Sequence, residues 1–364
     1  MTFLRNTWYC AAYADEVTRT PFARTILNER IALYRREDGG PVALSDTCPH
    51  RFAPMHLGRL HGDVLACPYH GLQFGDDGAC RHNPHGPIIP PALRLKSYPV
   101  VDRYGVIWIW MGAPAQADET RIPDFSALVD PDRAVVKGLI PIKGGYELVT
   151  DNLLDLSHTQ YLHPILMVPE DPATEKVSRV HYDGDVLITQ FNDINARPTA
   201  LADLMWEEPP QRLDAFAGVR WEAPANMMLE IRQVSRDARI TGERAFWQGE
   251  LITPETETTC HYFWYTARDF KTDDADFGAL FAQVTEDVFK NEDGAMIAHL
   301  QANMGEETDL FNMRPVILPT DTAAVAARRI LRKLIRAEAE EAGTPAPSSP
   351  DADLQEASSL SAIS

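Results

Sequence analysis

Apolar and polar positions alternate in short bursts along the first part of the chain. Arg24-Thr25-Ile26-Leu27, Arg30 to Arg35 and Val42-Ala43-Leu44 read as strands, with turns at Asn28-Glu29 and Glu37-Asp38-Gly39-Gly40. Val64-Leu65-Ala66 is a further strand that feeds into Cys67. The runs Leu95 to Val101 and Val106 to Trp110 flank Asp102-Arg103-Tyr104-Gly105, which is a hairpin pattern. Residues 1–112 therefore predict a small antiparallel β domain. Residues 113–134 are turn-rich and polar and read as a linker. From 135 to 342 the pattern mixes periods. Strand-like runs occur at Asp185 to Thr189, Met227 to Ile231 and Cys260 to Tyr265, with helices from about Leu148 to Gln160 and from about Phe277 to Asn303. Asp321 to Ala342 is an amphipathic helix whose Arg/Lys/Glu face reads as solvated surface. Residues 343–364 are rich in Pro, Ser, Ala, Asp and Glu, and predict a disordered tail that cannot bury enough apolar area to order itself. The fold class is α+β.

A length of 364 residues suits two domains, and 45% apolar residues supply a sizeable core. The formal net charge of −19 argues against nucleic acid and anionic membranes as partners. The N-terminus lacks a signal-like apolar core, and no run approaches the ~18 apolar residues of a membrane span. Five cysteines are poor material for a disulfide framework, so a cytoplasmic, reducing location is expected. Cys10, Cys80 and Cys260 read as small buried apolar residues.

Chemistry concentrates in Cys48-Pro49-His50 and Cys67-Pro68-Tyr69-His70, two Cys-His pairs separated by Arg51 to Ala66. Two thiolates and two imidazoles can hold one zinc ion, or a [2Fe–2S] cluster with two His on one iron, the Rieske arrangement. The prolines fix tight turns, and Gly71 permits close backbone approach to cluster sulfurs. The Cys-x2-4-Cys and His-x3-5-His spacing common in structural zinc sites is absent.

A second constellation lies in Asp151 to Pro164. Asn152, Asp155 and His158 are three apart and share a helix face. His163 follows five residues later, so the helix must loosen or end before it, and Pro164 suits an ending. Two imidazoles and one carboxylate form the facial triad of non-haem Fe(II) oxygenases. Asp293 is the chosen carboxylate and Glu292 its competitor.

These stretches resemble the Rieske non-haem iron oxygenases, in the branch of the vanillate and dicamba O-demethylase oxygenase components. The resemblance covers roughly residues 1–340. It includes Arg5-Asn6-Thr7-Trp8-Tyr9, Cys48 to Pro54, Cys67 to Leu72, Asp151 to Leu156 and Leu251 to Glu257. It implies a Rieske domain holding its cluster through Cys48, His50, Cys67 and His70. It also implies a helix-grip catalytic domain holding iron through His158, His163 and Asp293, and a head-to-tail homotrimer. Asp155 would bridge His158 and the partner subunit's His70, and Asn152 would stand near the iron. Electrons would come from NAD(P)H through a separate reductase, with or without a ferredoxin. The implied reaction is O2-dependent O-demethylation of a methoxylated aromatic, releasing formaldehyde. Hydroxylation of an aryl methyl, an N-methyl or a ring carbon is the enzymatic alternative; an electron carrier and a zinc-ribbon interaction protein are the others. Leu229, Glu250 and Val284 fall where the family places substrate-pocket residues, or else serve ordinary packing. The Asn and His that hold a carboxylate in the dicamba enzyme are missing here, and Glu250 opposes a carboxylate unless protonated or turned away.

Overall fold

The computed structural model describes residues 3–166 and 171–343. The expected tail from 344 onward lies outside the described residues.

The N-terminal module contains β1 (Trp8–Tyr13), β2 (Phe22–Ile26), β3 (Glu29–Arg35), β4 (Pro41–Ser45), β5 (Arg59–His61), β6 (Val64–Ala66), β7 (Gln73–Phe74), β8 (Cys80–His82), β9 (Ser97–Tyr98), β10 (Val100–Arg103) and β11 (Val106–Trp110). They form three antiparallel sheets ordered β1-β11-β10, β2-β3-β4-β9 and β5-β6-β7-β8. The expected hairpin is present, with Arg103 paired to Val106 around Tyr104 and Gly105 at positive φ. Leu95 to Val101 is not one strand, however. β9 pairs with β4 and β10 with β11, and Pro99 between them has no N–H to offer either ladder. The first turn also falls one residue earlier than expected, on Leu27 and Asn28, because Ile26 pairs with Glu29.

The second module is one seven-stranded antiparallel sheet flanked by helices. Its strands are β12 (Ala134–Ile142), β13 (Glu175–Asp183), β14 (Val186–Ala196), β15 (Leu213–Glu222), β16 (Asn226–Ser235), β17 (Glu243–Pro254) and β18 (Cys260–Arg268), in the order β12-β18-β17-β16-β15-β14-β13. The helices are α1 (Tyr146–Leu154), α2 (Thr159–Leu162), α3 (Ala200–Met205), α4 (Ala275–Asp287), α5 (Gly294–Met304) and α6 (Thr322–Glu341). Side chains alternate faces along a strand. Phe246, Gln248 and Glu250 of β17 therefore line a cavity under the helices. Leu251, facing the opposite way, packs with Trp8, Trp108, Trp110 and Phe263 against the N-terminal module.

Residues 113–134 are not a free tether. Three short 3-10 turns carry Ile122, Phe125 and Leu128 into that aromatic cluster. Gly249 lets Leu128 pack closely there: a Cβ would stand 2.5 Å from Leu128 Cδ1 and push that side chain aside.

The charged face of α6 is also not simply solvated. Arg328 is 2% exposed and reaches Asp151 (2.7 Å) and Glu147 (2.5 Å) on α1. The Glu338 carboxylate accepts from the backbone N–H groups of Arg5 (2.7 Å) and Asn6 (2.6 Å). Helix α6 thus straps α1 to the start of the chain. A periodicity reading misses this because it does not see the carboxylates and amides facing the helix. No helix among the described residues is long and apolar enough to cross a membrane.

Candidate metal centres

The two Cys-His loops are built alike. Cys48 N–H donates to Ala53 O (3.0 Å) and Phe52 N–H to Cys48 O (2.8 Å); Cys67 N–H donates to Leu72 O (2.8 Å) and Gly71 N–H to Cys67 O (3.1 Å). Gly71 has φ +69°, which explains the glycine; Phe52 takes φ +59° at the matching place of the first loop. Just before the first loop, the buried Asp46 accepts from His56 N–H (2.7 Å) and lies 2.8 Å from His56 Nδ1, anchoring the loop base.

Both cysteines are buried, while His50 is exposed and His70 half-buried, their rings 4.6 Å apart. Burial first, and the neighbouring Cys67 thiol after it, push the Cys48 thiol up to about 11. Two adjacent thiolates here need a cation to hold them. Among the described residues, the set of three donors converging within 4.8 Å is His158, His163 and Asp293.

The second centre depends on a broken helix. The expected helix to Gln160 ends at Leu154, because Asp155 leaves helical geometry (φ −114°, ψ 88°). A 3-10 turn over Leu156–His158 and the four-residue α2 follow, and His163 is extended before Pro164. Asn152, Asp155 and His158 therefore do not share one continuous helix face. The break swings His158 toward His163, with Nε2 atoms 3.2 Å apart. Asp293 Oδ1 lies 3.3 Å from His158 Nε2 and 3.5 Å from His163 Nε2.

Asp293 ends a π-helical turn, Val288–Asp293, between α4 and α5. The extra residue in that turn aims two consecutive carboxylates at the histidines, and single π turns often mark functional sites. Asp293 converges with the two Nε2 atoms, while Glu292 Oε2 sits 2.6 Å from the other nitrogen of His163, Nδ1. The two competitors thus take different positions. His158 Nδ1 donates to Asp155 O (2.5 Å), a backbone carbonyl. The Asp155 carboxylate itself accepts from Ser157 N–H (2.9 Å) as a cap. The expected side-chain bond from Asp155 to His158 is therefore replaced by a main-chain one, since the turn at Asp155 points its carbonyl at the ring. With both Nδ1 atoms held, both Nε2 atoms face the centre.

Asn152 Nδ2 donates to Asp293 Oδ1 (3.0 Å), and its Oδ1 is buried without a partner among the described residues. Burial opposes charge on His158, but Asp293 and the Asp155 carbonyl outweigh it and raise its pKa. The centre attracts positive charge, and its donor set fits a ferrous ion.

A cavity of about 540 Å³ opens on this centre. Leu229, Glu250 and Val284 all line it, with Ile231, Phe246 and Phe281. Gln248 was not expected there. The signal was its i, i+2 spacing from Glu250 on one strand face. Glu250 is wholly buried, and burial first, then Asp293, push it up to about 8.

Residues 7–99 match the model of the Rieske [2Fe-2S] domain, and residues 142–337 that of the vanillate O-demethylase oxygenase C-terminal domain. The chain is 37% identical to the dicamba O-demethylase oxygenase component of Stenotrophomonas maltophilia, over 93% of this chain and 100% of that one. It is 36% identical to the chloroacetanilide N-alkylformylase oxygenase component of Rhizorhabdus wittichii, over 92% and 97%. The crystal structure of dicamba monooxygenase bound to 3,6-dichlorosalicylic acid superimposes with a TM-score of 0.84 at 35% identity, covering 93% of this chain and 99% of that chain. An iron–sulfur module joined to a mononuclear-iron module is the architecture of a Rieske-type monooxygenase. This chain belongs to the Rieske oxygenases, as an oxygenase component akin to those of the dicamba and vanillate O-demethylases. Its cofactors are a Rieske [2Fe–2S] cluster and a mononuclear iron, with NAD(P)H serving through a separate reductase.

Proposed function

We propose that this oxygenase O-demethylates a methoxylated aromatic, with Cys48, His50, Cys67 and His70 holding the cluster and His158, His163 and Asp293 holding the iron. The observation that carries this is the apolar cavity of about 540 Å³, sized for one small aromatic, opening on the two-His, one-carboxylate set. When bound, the two iron groups supply single-electron relay and oxygen activation.

The chain's own residues do the positioning. The Asp155 carbonyl and Glu292 carboxylate hold the Nδ1 sides of His158 and His163. Asn152 steadies Asp293. Phe246, Phe281, Leu229 and Val284 turn the methoxy carbon toward the centre and keep water out. The overall balance is ArOCH3 + O2 + NAD(P)H + H+ giving ArOH + CH2O + H2O + NAD(P)+. Oxygen inserts into a C–H bond of the methyl group, and the resulting hemiacetal expels formaldehyde as the phenol takes the proton.

The same reading assigns a homotrimer. Phe52, Leu57, Tyr69 and Ile88 stand exposed in the N-terminal module, on or near the cluster loops, and Tyr161 and Val316 in the catalytic module. Exposed apolar side chains on both modules suit head-to-tail contacts that close into a ring. Asp155 is the carboxylate proposed to face the partner subunit's His70. Residues 1–112 are read as the cluster domain, 113–134 as the connecting segment and 135–342 as the catalytic domain.

The test supplies metal-replete protein with a surrogate reductase, NADH, and a panel of methoxybenzoates, methoxybenzamides and methoxyphenols. Three iron atoms per chain and formaldehyde in step with NADH consumption are expected. Hydroxylated product without formaldehyde from every substrate would replace demethylation by ring hydroxylation.

A further inference from the structure

The cavity over the iron set is long, and its far end holds a buried donor with nothing to bond. Paired residues of neighbouring strands form its floor in rows. Val219, Leu229 and Gln248 make one row, Ala217, Ile231 and Phe246 the next, and Ala215 and Gln233 the one after. Glu250 feels the charge of Asp293, so it marks the iron end, and it pairs with Met227. From Met227 to Gln233 along β16 is up to about 20 Å. The alanines on β15 keep the floor open between the two ends. One methoxylated ring at the iron end leaves the Gln233 end free.

Gln233 is 3% exposed. The indole of Trp206, just after α3, donates to Gln233 Oε1 (2.9 Å). An indole N–H can only donate, so the amide cannot turn over: its oxygen faces Trp206 and its nitrogen faces away. Nε2 finds no hydrogen-bond partner among the described residues, yet it is not sealed in the core. It keeps accessible surface, on a side chain that lines the cavity. A buried donor left open is costly, and a ligand oxygen in the cavity would satisfy it.

The charges around that end come in opposite pairs. Asp193 stands in the Ala215 row and pairs across the strands with Lys176, and Asp171 lies 3.0 Å from Arg197. All four line the cavity. Arg244, opposite Gln233, stacks on the Trp206 ring instead (4.8 Å). No lone cation is left for a ligand carboxylate, whose burial would then be unfavourable. A neutral oxygen suits the site better.

We propose that Gln233 forms a distal subsite of this cavity, so that the substrate is a methoxylated ring with an extended substituent whose far end presents a neutral acceptor, a carbonyl or ether oxygen, to the Gln233 amide. This rests on the demethylase reading for the placement of the methoxy group, but its test does not require turnover.

Titration calorimetry on the oxidised, metal-replete full chain, without reductant, uses para-methoxyphenyl probes with an alkyl chain of graded length. Each chain ends in a methyl ketone, in the isosteric isopropenyl group, or in a carboxylate. The ketone offers an acceptor, the alkene none, and the acid an acceptor with a charge. At one chain length or more the ketone is expected to bind about ten-fold more tightly than its alkene and its acid. Gln233→Met keeps the volume and removes the donor, and should bring ketone and alkene within about two-fold at every length. Para-methoxytoluene, too short to reach the amide, should bind wild type and Gln233→Met within about two-fold of each other. Ketone and alkene binding alike at every length in wild type would overturn the subsite, as would a ketone preference that survives Gln233→Met. An acid that binds as tightly as the ketone would overturn the neutral acceptor. Formaldehyde failing to appear while the ketone preference holds would sink the demethylase reading and leave the subsite standing.

Discussion

Replacing Arg328 by Met tests whether the C-terminal helix holds the iron-bearing segment in place. The guanidinium is buried and makes three kinds of contact with α1: Nε to Asp151 at 3.0 Å, Nη2 to Asp151 Oδ2 at 2.7 Å and Nη1 to Glu147 Oε2 at 2.5 Å. Methionine keeps most of the volume but removes the charge. Glu147 and Asp151 would remain, one helical turn apart, as partly buried like charges. Breaking a buried pair by removing one partner costs about 3–5 kcal/mol. The loss should be local at first. Amide hydrogen exchange across residues 146–154 and 322–341 should accelerate by at least about a hundred-fold, since 1.4 kcal/mol corresponds to a factor of ten. Asn152 lies one residue beyond Asp151, so mononuclear iron content should fall while the visible absorbance of the cluster is kept. The effect carries a pH signature. Burial already holds Glu147 above the ordinary carboxylate value, against the pull of Arg328. Without Arg328 it rises further, and a carboxyl raised in the folded state loses stability as pH climbs above its ordinary value of 4.5. The variant should therefore be closer to wild type at pH 5 than at pH 8. Combining Glu147→Gln and Asp151→Asn with Arg328→Met neutralises the whole cluster and should recover most of the loss. A single-variant cost below about 1 kcal/mol, or a triple variant no better than the single one, would refute the reasoning.

Three further expectations follow from the site and its support. Asp155→Asn keeps a side-chain oxygen for Ser157 N–H and leaves the carbonyl on His158, so both metals should stay bound while steady-state turnover drops by about 10–100-fold or more; full activity would remove Asp155 from the route between subunits. Glu250 is pushed up to about 8, so its ionisation opposes folding as pH rises from 4.5 through 8; Glu250→Gln should gain stability relative to wild type over that interval, up to about 5 kcal/mol in urea titrations at pH 5 and pH 8.5, and a pH-independent difference would contradict it. Gly138→Ala would put a Cβ 2.5 Å from the Trp264 ring, so it should cost about 1–3 kcal/mol and alter tryptophan fluorescence; an unchanged melting temperature would show that the ring can move aside.

The candidate metal donors were legible because their chemistry is local in type. Cys-Pro-His and Cys-Pro-Tyr-His carry ligands and turn residues within a few positions, and His158 and His163 lie on one short segment. The seven-stranded sheet was visible only as separate runs, since pairing order leaves no trace in any single strand, and the single helix expected from about Phe277 to Asn303 is interrupted by the π turn between α4 and α5. Asp293 and Glu292 could not be separated by sequence because adjacent carboxylates differ only in direction, and the π turn sets direction. Asp155 was expected to reach His158 through its carboxylate, but the contact runs through the carbonyl. A helix period cannot anticipate that, because it assumes the helix continues.

The sequence by itself determined which atoms can bind metal, the α+β class and the cluster-bearing β module, since ligand identity and strand period are properties of neighbouring residues. Only the tertiary structure decided that Arg328 and Glu338 are buried, that residues 113–134 are part of the core, and that Glu250 is wholly buried beside Gln248. Charge burial and hydrogen-bond satisfaction depend on what the rest of the chain brings up against a side chain, and those partners come from as far as 333 residues away.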